Sequence, residues 1–270
     1  MMTLKPIGVF DSGVGGLSVL REIRRELPHE DLLYVADSGH APYGDKPLAY
    51  IERRALAIAD FLLERDAKAL VVACNTATGA AARLLRERYP VPVIAMEPAV
   101  KPAVARSRSG VVGVLATRQT LASDKFAALL AGQAGAEVLP QACPGLVERV
   151  EAGDLEGEET RALLAAYLEP LLTRGADTLV LGCTHYPHLA PLISELAGPQ
   201  VEVLDSGAAV ARQVRRRLVE TGLLAASRGG REFFWTSGDP GRLYPVLARL
   251  WGGDIDLAPL PPAREGSRYR

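Results

Sequence analysis

The chain has 270 residues, 48% of them hydrophobic and 23% charged, an ordinary globular composition with enough apolar material for one large or two modest domains. Lys+Arg 31 against Asp+Glu 32 leave a net charge of -1, which excludes a general attraction to nucleic acid or an anionic membrane and suits a small polar substrate. The start, Met-Met-Thr-Leu-Lys-Pro, lacks the basic and apolar regions of a signal peptide, and no apolar run approaches the ~18–20 residues of a membrane span, so a cytoplasmic protein with three reduced thiols is expected.

Lys5 to Phe10 reads as a strand that breaks into Asp11-Ser12-Gly13-Val14-Gly15-Gly16, after which Leu17, Leu20, Ile23 and Leu27 repeat at helical spacing until Pro28. Leu32 to Ala36 is the next strand. It opens onto Asp37-Ser38-Gly39-His40-Ala41-Pro42-Tyr43-Gly44-Asp45, too polar and too rich in Gly and Pro for an element interior. A helix of about Leu48 to Arg65 leads into the apolar run Val71-Val72-Ala73, which stops at Cys74-Asn75-Thr76. Ala77 to Arg88 is helical, and Val91 to Ala95 is a fourth strand ending at Glu97-Pro98.

The pattern then restarts. Val111 to Ala116 is a strand followed by Thr117-Arg118-Gln119-Thr120 and a helix to about Leu130; Glu137 to Pro140 is a short strand, and Cys143-Pro144-Gly145 opens a loop leading to Glu151. A helix of about Glu158 to Thr173 precedes the run Leu179-Val180-Leu181, which stops at Gly182-Cys183-Thr184-His185, and Val201 to Leu204 is the eighth strand. An amphipathic helix over about 208–224, a turn at Arg228-Gly229-Gly230-Arg231, a strand at Glu232 to Trp235, a helix of about Gly241 to Trp251 and a Pro-rich tail complete the chain.

At an offset of 109 positions, Leu62-Leu63, Arg65, Ala67, Leu70-Val71 and Cys74 meet Leu171-Leu172, Arg174, Ala176, Leu179-Val180 and Cys183, and Gly8-Val9 likewise meets Gly113-Val114. Duplicated βα units predict an α/β protein of two pseudo-symmetric domains. Each has a mostly parallel sheet of four or more strands flanked by helices, with residues 1–98 plus 208–270 in the first and 99–207 in the second. Ligands of such sheets lie at the carboxyl ends of the strands. Cys74 and Cys183 both fall there, which places the active site at the domain interface.

A lone cysteine is more often a small buried hydrophobe than a reactive group, and Cys143 reads that way. For the paired cysteines three chemistries stand open. Zinc could be held by Cys183, His185, His188 and Cys74, although the spacing matches no usual metal motif. A cysteine hydrolase would use Cys183 with His185 and leave Cys74 unexplained. Inverting a carbon that bears an acidic proton needs a base on one face and an acid on the other, and two thiols can exchange those roles. Asp11, Glu151 and His185 lie on strand-end segments from which they can relay the protons. Gly13-Val14-Gly15-Gly16 lacks the Lys-Ser/Thr of a phosphate loop and reads as a tight strand-to-helix turn. Lys101 and Lys125 read as surface helix residues, so pyridoxal phosphate is not indicated.

The chain resembles the glutamate racemases, cofactor-independent members of the aspartate/glutamate racemase superfamily. The likeness rests on Gly8-Val-Phe-Asp-Ser-Gly-Val-Gly-Gly-Leu17, Ala36-Asp-Ser-Gly-His-Ala-Pro-Tyr-Gly44, Ala73-Cys-Asn-Thr-Ala77 and Leu181-Gly-Cys-Thr-His-Tyr-Pro187, and spans nearly the whole sequence. The resemblance implies that Cys74 acts on D-glutamate with Asp11 assisting, and Cys183 on L-glutamate with His185 and Glu151 assisting. It implies that Asp11, Ser12, Pro42, Tyr43, Gly44, Asn75, Thr76, Thr184 and His185 bind the amino acid, with Thr117 and Thr120 near its carboxylates. It further implies no cofactor and no metal, a homodimer, and D-glutamate supply for peptidoglycan. Ala116 stands where the family usually has glycine, and Gly145 and Arg149 lie in a segment that is usually more apolar. The N-terminus is shorter than in members activated by a cell-wall precursor. His185 in Gly-Cys-Thr-His favours glutamate over aspartate, whose racemisation is the nearest alternative. An amino-acid-binding or regulatory protein on the same scaffold is the alternative from another class.

Overall fold

The computed structural model describes residues 5–133, 135–225 and 229–262. Its first half runs β1 (Ile7–Asp11), α1 (Leu17–Glu26), β2 (Leu32–Ala36), α2 (Leu48–Leu63), β3 (Ala69–Val72), α3 (Asn75–Arg88) and β4 (Val93–Ala95). The second half runs α4 (Val100–Arg106), β5 (Val111–Ala116), α5 (Arg118–Leu121), α6 (Asp124–Ala131), β6 (Glu137–Ala142), α7 (Leu146–Glu151), α8 (Glu158–Thr173), β7 (Thr178–Leu181), α9 (Ala190–Ala197) and β8 (Glu202–Leu204). The chain then returns through α10 (Gly207–Glu220), β9 (Glu232–Thr236), α11 (Pro240–Trp251) and β10 (Leu257–Pro259).

Two all-parallel sheets result, ordered β10-β9-β2-β1-β3-β4 and β6-β5-β7-β8. The order 2-1-3-4 of the first four strands recurs as 6-5-7-8, so the duplication seen in the sequence is also one of topology. β1 and β3 are buried along their whole length, which explains why they read as continuous apolar runs without alternation. In a sheet of this order the chain reverses direction at the central strand, and the crevice opens beside the loops after β1 and β3 and after β5 and β7. Those four loops begin at Ser12, Ala73, Thr117 and Gly182.

Several elements differ from the sequence reading. The stretch 143–151 is not all loop: Gly145, at φ 87, turns the chain into α7, whose Leu146, Val147 and Val150 are buried. The helix expected to run to Leu130 is two helices, because the Ser123 hydroxyl caps a fresh start by accepting from Phe126 N–H. Part of the Pro-rich tail forms β10 beside β9, and β9 pairs with β2, so the last segment extends the first sheet. Of the predicted turn at 228–231, Arg228 lies outside the described residues.

One continuous apolar core joins the halves, from Ile7, Val9 and Leu20 under the first sheet to Leu146, Leu181 and Tyr186 under the second. The two crossings between sheets are tied together where Ser206 Oγ donates to the Glu97 carbonyl at 2.6 Å. No helix of the described residues is long and apolar enough to cross a membrane.

Candidate active site

Cys74 sits one residue beyond Ala73, in extended conformation, as the residue before the first turn of α3; its sulfur accepts from the Ala77 N–H at 3.4 Å. Asn75 and Thr76 thereby occupy the first helical turn, on the cavity side. Cys183 leaves β7 in the same way, yet no α-helix starts at once. Pro187 lies in a short 3₁₀ turn, Tyr186–Leu189, before α9 begins at Ala190. The two thiols are therefore equivalent in topology and different in company.

Both line one small space between the sheets. Ser12, Pro42, Tyr43, Gly44, Asn75 and Thr76 join Cys74 on the side of the first sheet, while Thr117, Thr184 and His185 join Cys183 on the side of the second. Of the remaining predicted residues, Asp11, Glu151 and Thr120 stand behind this wall. Thr120 Oγ1 lies 2.9 Å from Thr117 Oγ1 and 3.2 Å from Thr76 Oγ1, closing a triangle of hydroxyls across the two halves. Val147 of α7 also lines the space and was missed; the spacing of Leu146, Val147 and Val150 would have revealed an apolar helix face, but Pro144-Gly145 made the segment read as loop. A larger surface groove lined by His40, Arg54 and Phe61 contains neither thiol.

Each cysteine has its own set of polar contacts. Cys74 Sγ lies 3.7 Å from Ser12 Oγ, which lies 3.4 Å from Asp11 Oδ1. Asp11 is fully buried, accepts from Gly16 N–H at 2.8 Å, and is touched by Thr184 Oγ1 at 3.3 Å. Burial, reinforced by the Glu151 charge, raises the Asp11 carboxyl above its ordinary range against the opposing pull of His185 and the Gly16 N–H. Burial and then the Asp11 charge push the Cys74 thiol up strongly, outweighing the helix-end N–H. At neutral pH Cys74 is thus held as a thiol.

On the other side Cys183 Sγ faces His185 Nδ1 at 3.7 Å, and His185 Nε2 meets Glu151 Oε1 at 2.6 Å. Burial works against a charged ring here, but hydrogen bonds and charges from Cys183 and Glu151 more than offset it and raise His185 well above its ordinary value. The neighbouring His188 goes the other way, to about 4, through burial and the His185 charge. Glu151 reaches across the seam: Oε1 also accepts from Val14 N–H at 2.7 Å and Oε2 from Ser38 Oγ at 2.9 Å. This close approach explains two glycines. A Cβ on Gly13 would lie 1.8 Å from Glu151 Oε1, and one on Gly15 would lie 2.3 Å from His185 Nδ1.

Asn75 supplies a pointer to a ligand. It is buried, and neither its amide nitrogen nor its oxygen has a hydrogen-bond partner among the described residues. An orphaned amide costs on the order of 1–3 kcal/mol, so Asn75 carries unspent hydrogen-bonding capacity at this space. Thiols, hydroxyls and one unpartnered amide gather on this space. Among the described residues no group of three or more His, Cys, Asp or Glu side chains is placed to hold a metal ion.

The family model described as Asp/Glu/Hydantoin racemase matches residues 7–214. A glutamate racemase of Methylococcus capsulatus is 61% identical over 258 residues, 95% of either chain. Among solved structures, a glutamate racemase isoform of Bacillus anthracis superposes with a TM-score of 0.88 at 33% identity, covering 97% of this chain and 99% of that one. A glutamate racemase of Francisella tularensis in complex with D-glutamate gives 0.83 at 29% identity over 95% and 97%.

Proposed function

The chain belongs to the Asp/Glu/hydantoin racemase family, and on that premise we propose that it interconverts L- and D-glutamate by two-thiol proton transfer without a cofactor. The observation that carries the reading is the placement of Cys74 and Cys183 on one shared space, each with separate polar contacts. The substrate named for its relatives supports glutamate as the molecule turned over.

For L-glutamate to enter, Cys183 acts as the base, with His185, raised by its contacts with Cys183 and Glu151, beside it to take up a proton, while Cys74 is held as a thiol. L-Glutamate then loses its α-proton to the Cys183 sulfur, the bond electrons pass into the α-carboxylate, and the Cys74 S–H delivers a proton to the opposite face. The product is D-glutamate, with Cys74 left as thiolate. Asp11, raised by burial, shuttles the proton that resets Cys74 and assists the reverse reaction. Asn75 and the Thr76–Thr117–Thr120 hydroxyls offset the charge that develops on the carboxylate.

Cytoplasmic residence, a homodimer and supply of D-glutamate to peptidoglycan complete the proposal and follow from the resemblance. We assign residues 1–98 with 208–270 to one domain and 99–207 to the other, as the β2–β9 pairing and the repeated strand order suggest. Incubating the purified chain with L-glutamate and a chelator, and resolving the enantiomers by chiral chromatography, tests the activity. Convergence to equal amounts of L and D is expected. No D-glutamate at stoichiometric enzyme would overturn the reading.

A further inference from the structure

Glu151 is gripped at both oxygens, and one grip has no part in the proton path. Oε1 meets His185 Nε2 and Val14 N–H; Oε2 meets the hydroxyl of Ser38 at 2.9 Å. The Ser38 backbone is itself anchored on both sides. Before it, buried Asp37 accepts from Arg54 Nε and Nη2 at 2.9 and 2.6 Å and from Tyr43 Oη at 2.5 Å. After it, Gly39 N–H donates to Ser237 Oγ at 3.1 Å, and a Cβ on Gly39 would lie 2.6 Å from the Ser237 carbonyl oxygen, so the turn is pressed against the segment following β9. A carboxylate rotates easily about its last bond. Held at Oε1 alone, Glu151 can swing its plane; held at Oε2 as well, it cannot.

We propose that Ser38 is a positioning residue for proton transfer at Cys183, fixing the plane of Glu151 so that Oε1 stays on His185 Nε2. Ser38 and Val14 belong to the half with the first sheet, and Glu151 and His185 to the half with the second. The same hydroxyl therefore links the two halves at the relay.

The groups that set the protonation of His185 are Cys183 beside it, Glu151 from α7, Asp11 at the end of β1 and His188 in the following turn, with Tyr34 near Asp11 and Glu151. Replacing Ser38 leaves all of these side chains in place and changes only how Glu151 is held. This makes the effect on the ring diagnostic.

The experiment compares the full-length protein with Ser38→Ala and Ser38→Thr, measuring steady-state racemisation of glutamate and, separately, the titration of His185 by ¹⁵N-histidine NMR in ligand-free protein. Ser38→Ala is expected to lower kcat roughly tenfold, the effect of losing one hydrogen bond to a charged group, with KM little changed. The His185 imidazolium should lose its proton at lower pH than in the parent. Ser38→Thr keeps the hydroxyl and should restore both. An unmoved His185 titration in Ser38→Ala, an unchanged rate, or a Ser38→Thr variant as impaired as the alanine would overturn the proposal. The rate arm rests on the glutamate reading. The titration needs no substrate, so a parent protein that fails to racemise glutamate sinks that reading while the NMR arm still decides the role of Ser38.

Discussion

Gly15→Ala tests how tightly the two halves are fitted. The Gly15 backbone is outside the left-handed region, so alanine fits the main chain. The methyl group has no room: it would stand 2.3 Å from His185 Nδ1, 2.6 Å from Cγ and 2.7 Å from Cε1, where ordinary contact begins at 3.4 Å. The ring must retreat by about 1 Å. It is 1% exposed and held between Cys183 at 3.7 Å and Glu151 at 2.6 Å, so retreat breaks one contact or the other. A misplacement of about 1 Å costs on the order of 100-fold in rate. Overpacking removes roughly 1–3 kcal/mol of stability, and the stiffer unfolded chain returns about 0.4–1 kcal/mol, so the variant stays folded. Circular dichroism of the glutamate solution follows kcat, and thermal melting confirms the fold. A Gly15→Ala enzyme within twofold of the parent would refute the close packing of His185 on this turn.

Asn75→Ala should raise KM for glutamate about 10- to 100-fold while leaving the melting temperature of the free protein unchanged or higher, because the amide removed is buried and unpaired; titration calorimetry and melting curves check both halves of this expectation. Lys68 and Glu30 form an ion pair at 1% and 2% exposure, so Lys68→Met should cost about 3–5 kcal/mol in urea unfolding, and Lys68→Met/Glu30→Leu should recover much of it. Asp177 accepts from Ser107 Oγ at 2.6 Å, Arg108 N–H at 2.7 Å and Ser109 N–H at 2.8 Å. Although burial pushes its carboxyl up, these bonds hold it far below the usual carboxylate range. A depressed pKa adds stability above 3.8 that is lost as pH falls toward the folded value. Asp177→Asn should therefore melt several degrees lower at pH 7, with the gap to the parent narrowing below pH 3.8.

The strands were legible because buried parallel strands leave unbroken apolar runs: Leu32–Ala36 and Val111–Ala116 fall where the sequence placed them. The repeat at 109 positions likewise foretold two parallel sheets, while their matching strand order came only from the structure. Short segments were harder. α7 has only six residues and follows Pro144-Gly145, so local turn chemistry masked an apolar face fixed by tertiary packing. The gathering of the candidate residues was legible as a set, since the motifs that bear Cys74, Cys183, Asp11 and Tyr43 all end strands or fill the loops after them. Their roles as wall or second layer were not. That Asp11, Thr120 and Glu151 stand behind the cavity follows from side-chain direction across the interface, which spacing along the chain does not encode. Ser38 was read only as part of a polar loop, because its partner lies 113 positions away on the other half.

The most direct test of two thiols on opposite faces is the early fate of solvent deuterium. L-Glutamate is turned over in deuterated water to a few per cent conversion, and the Cα isotope is read separately in recovered L-glutamate and new D-glutamate by NMR after chiral separation. Two acid–base groups predict deuterium in essentially all the D-glutamate and protium retained in the L-glutamate, with turnover abolished in both Cys74→Ala and Cys183→Ala. Deuterium entering recovered L-glutamate as fast as D-glutamate forms, or full activity in either variant, would contradict the account.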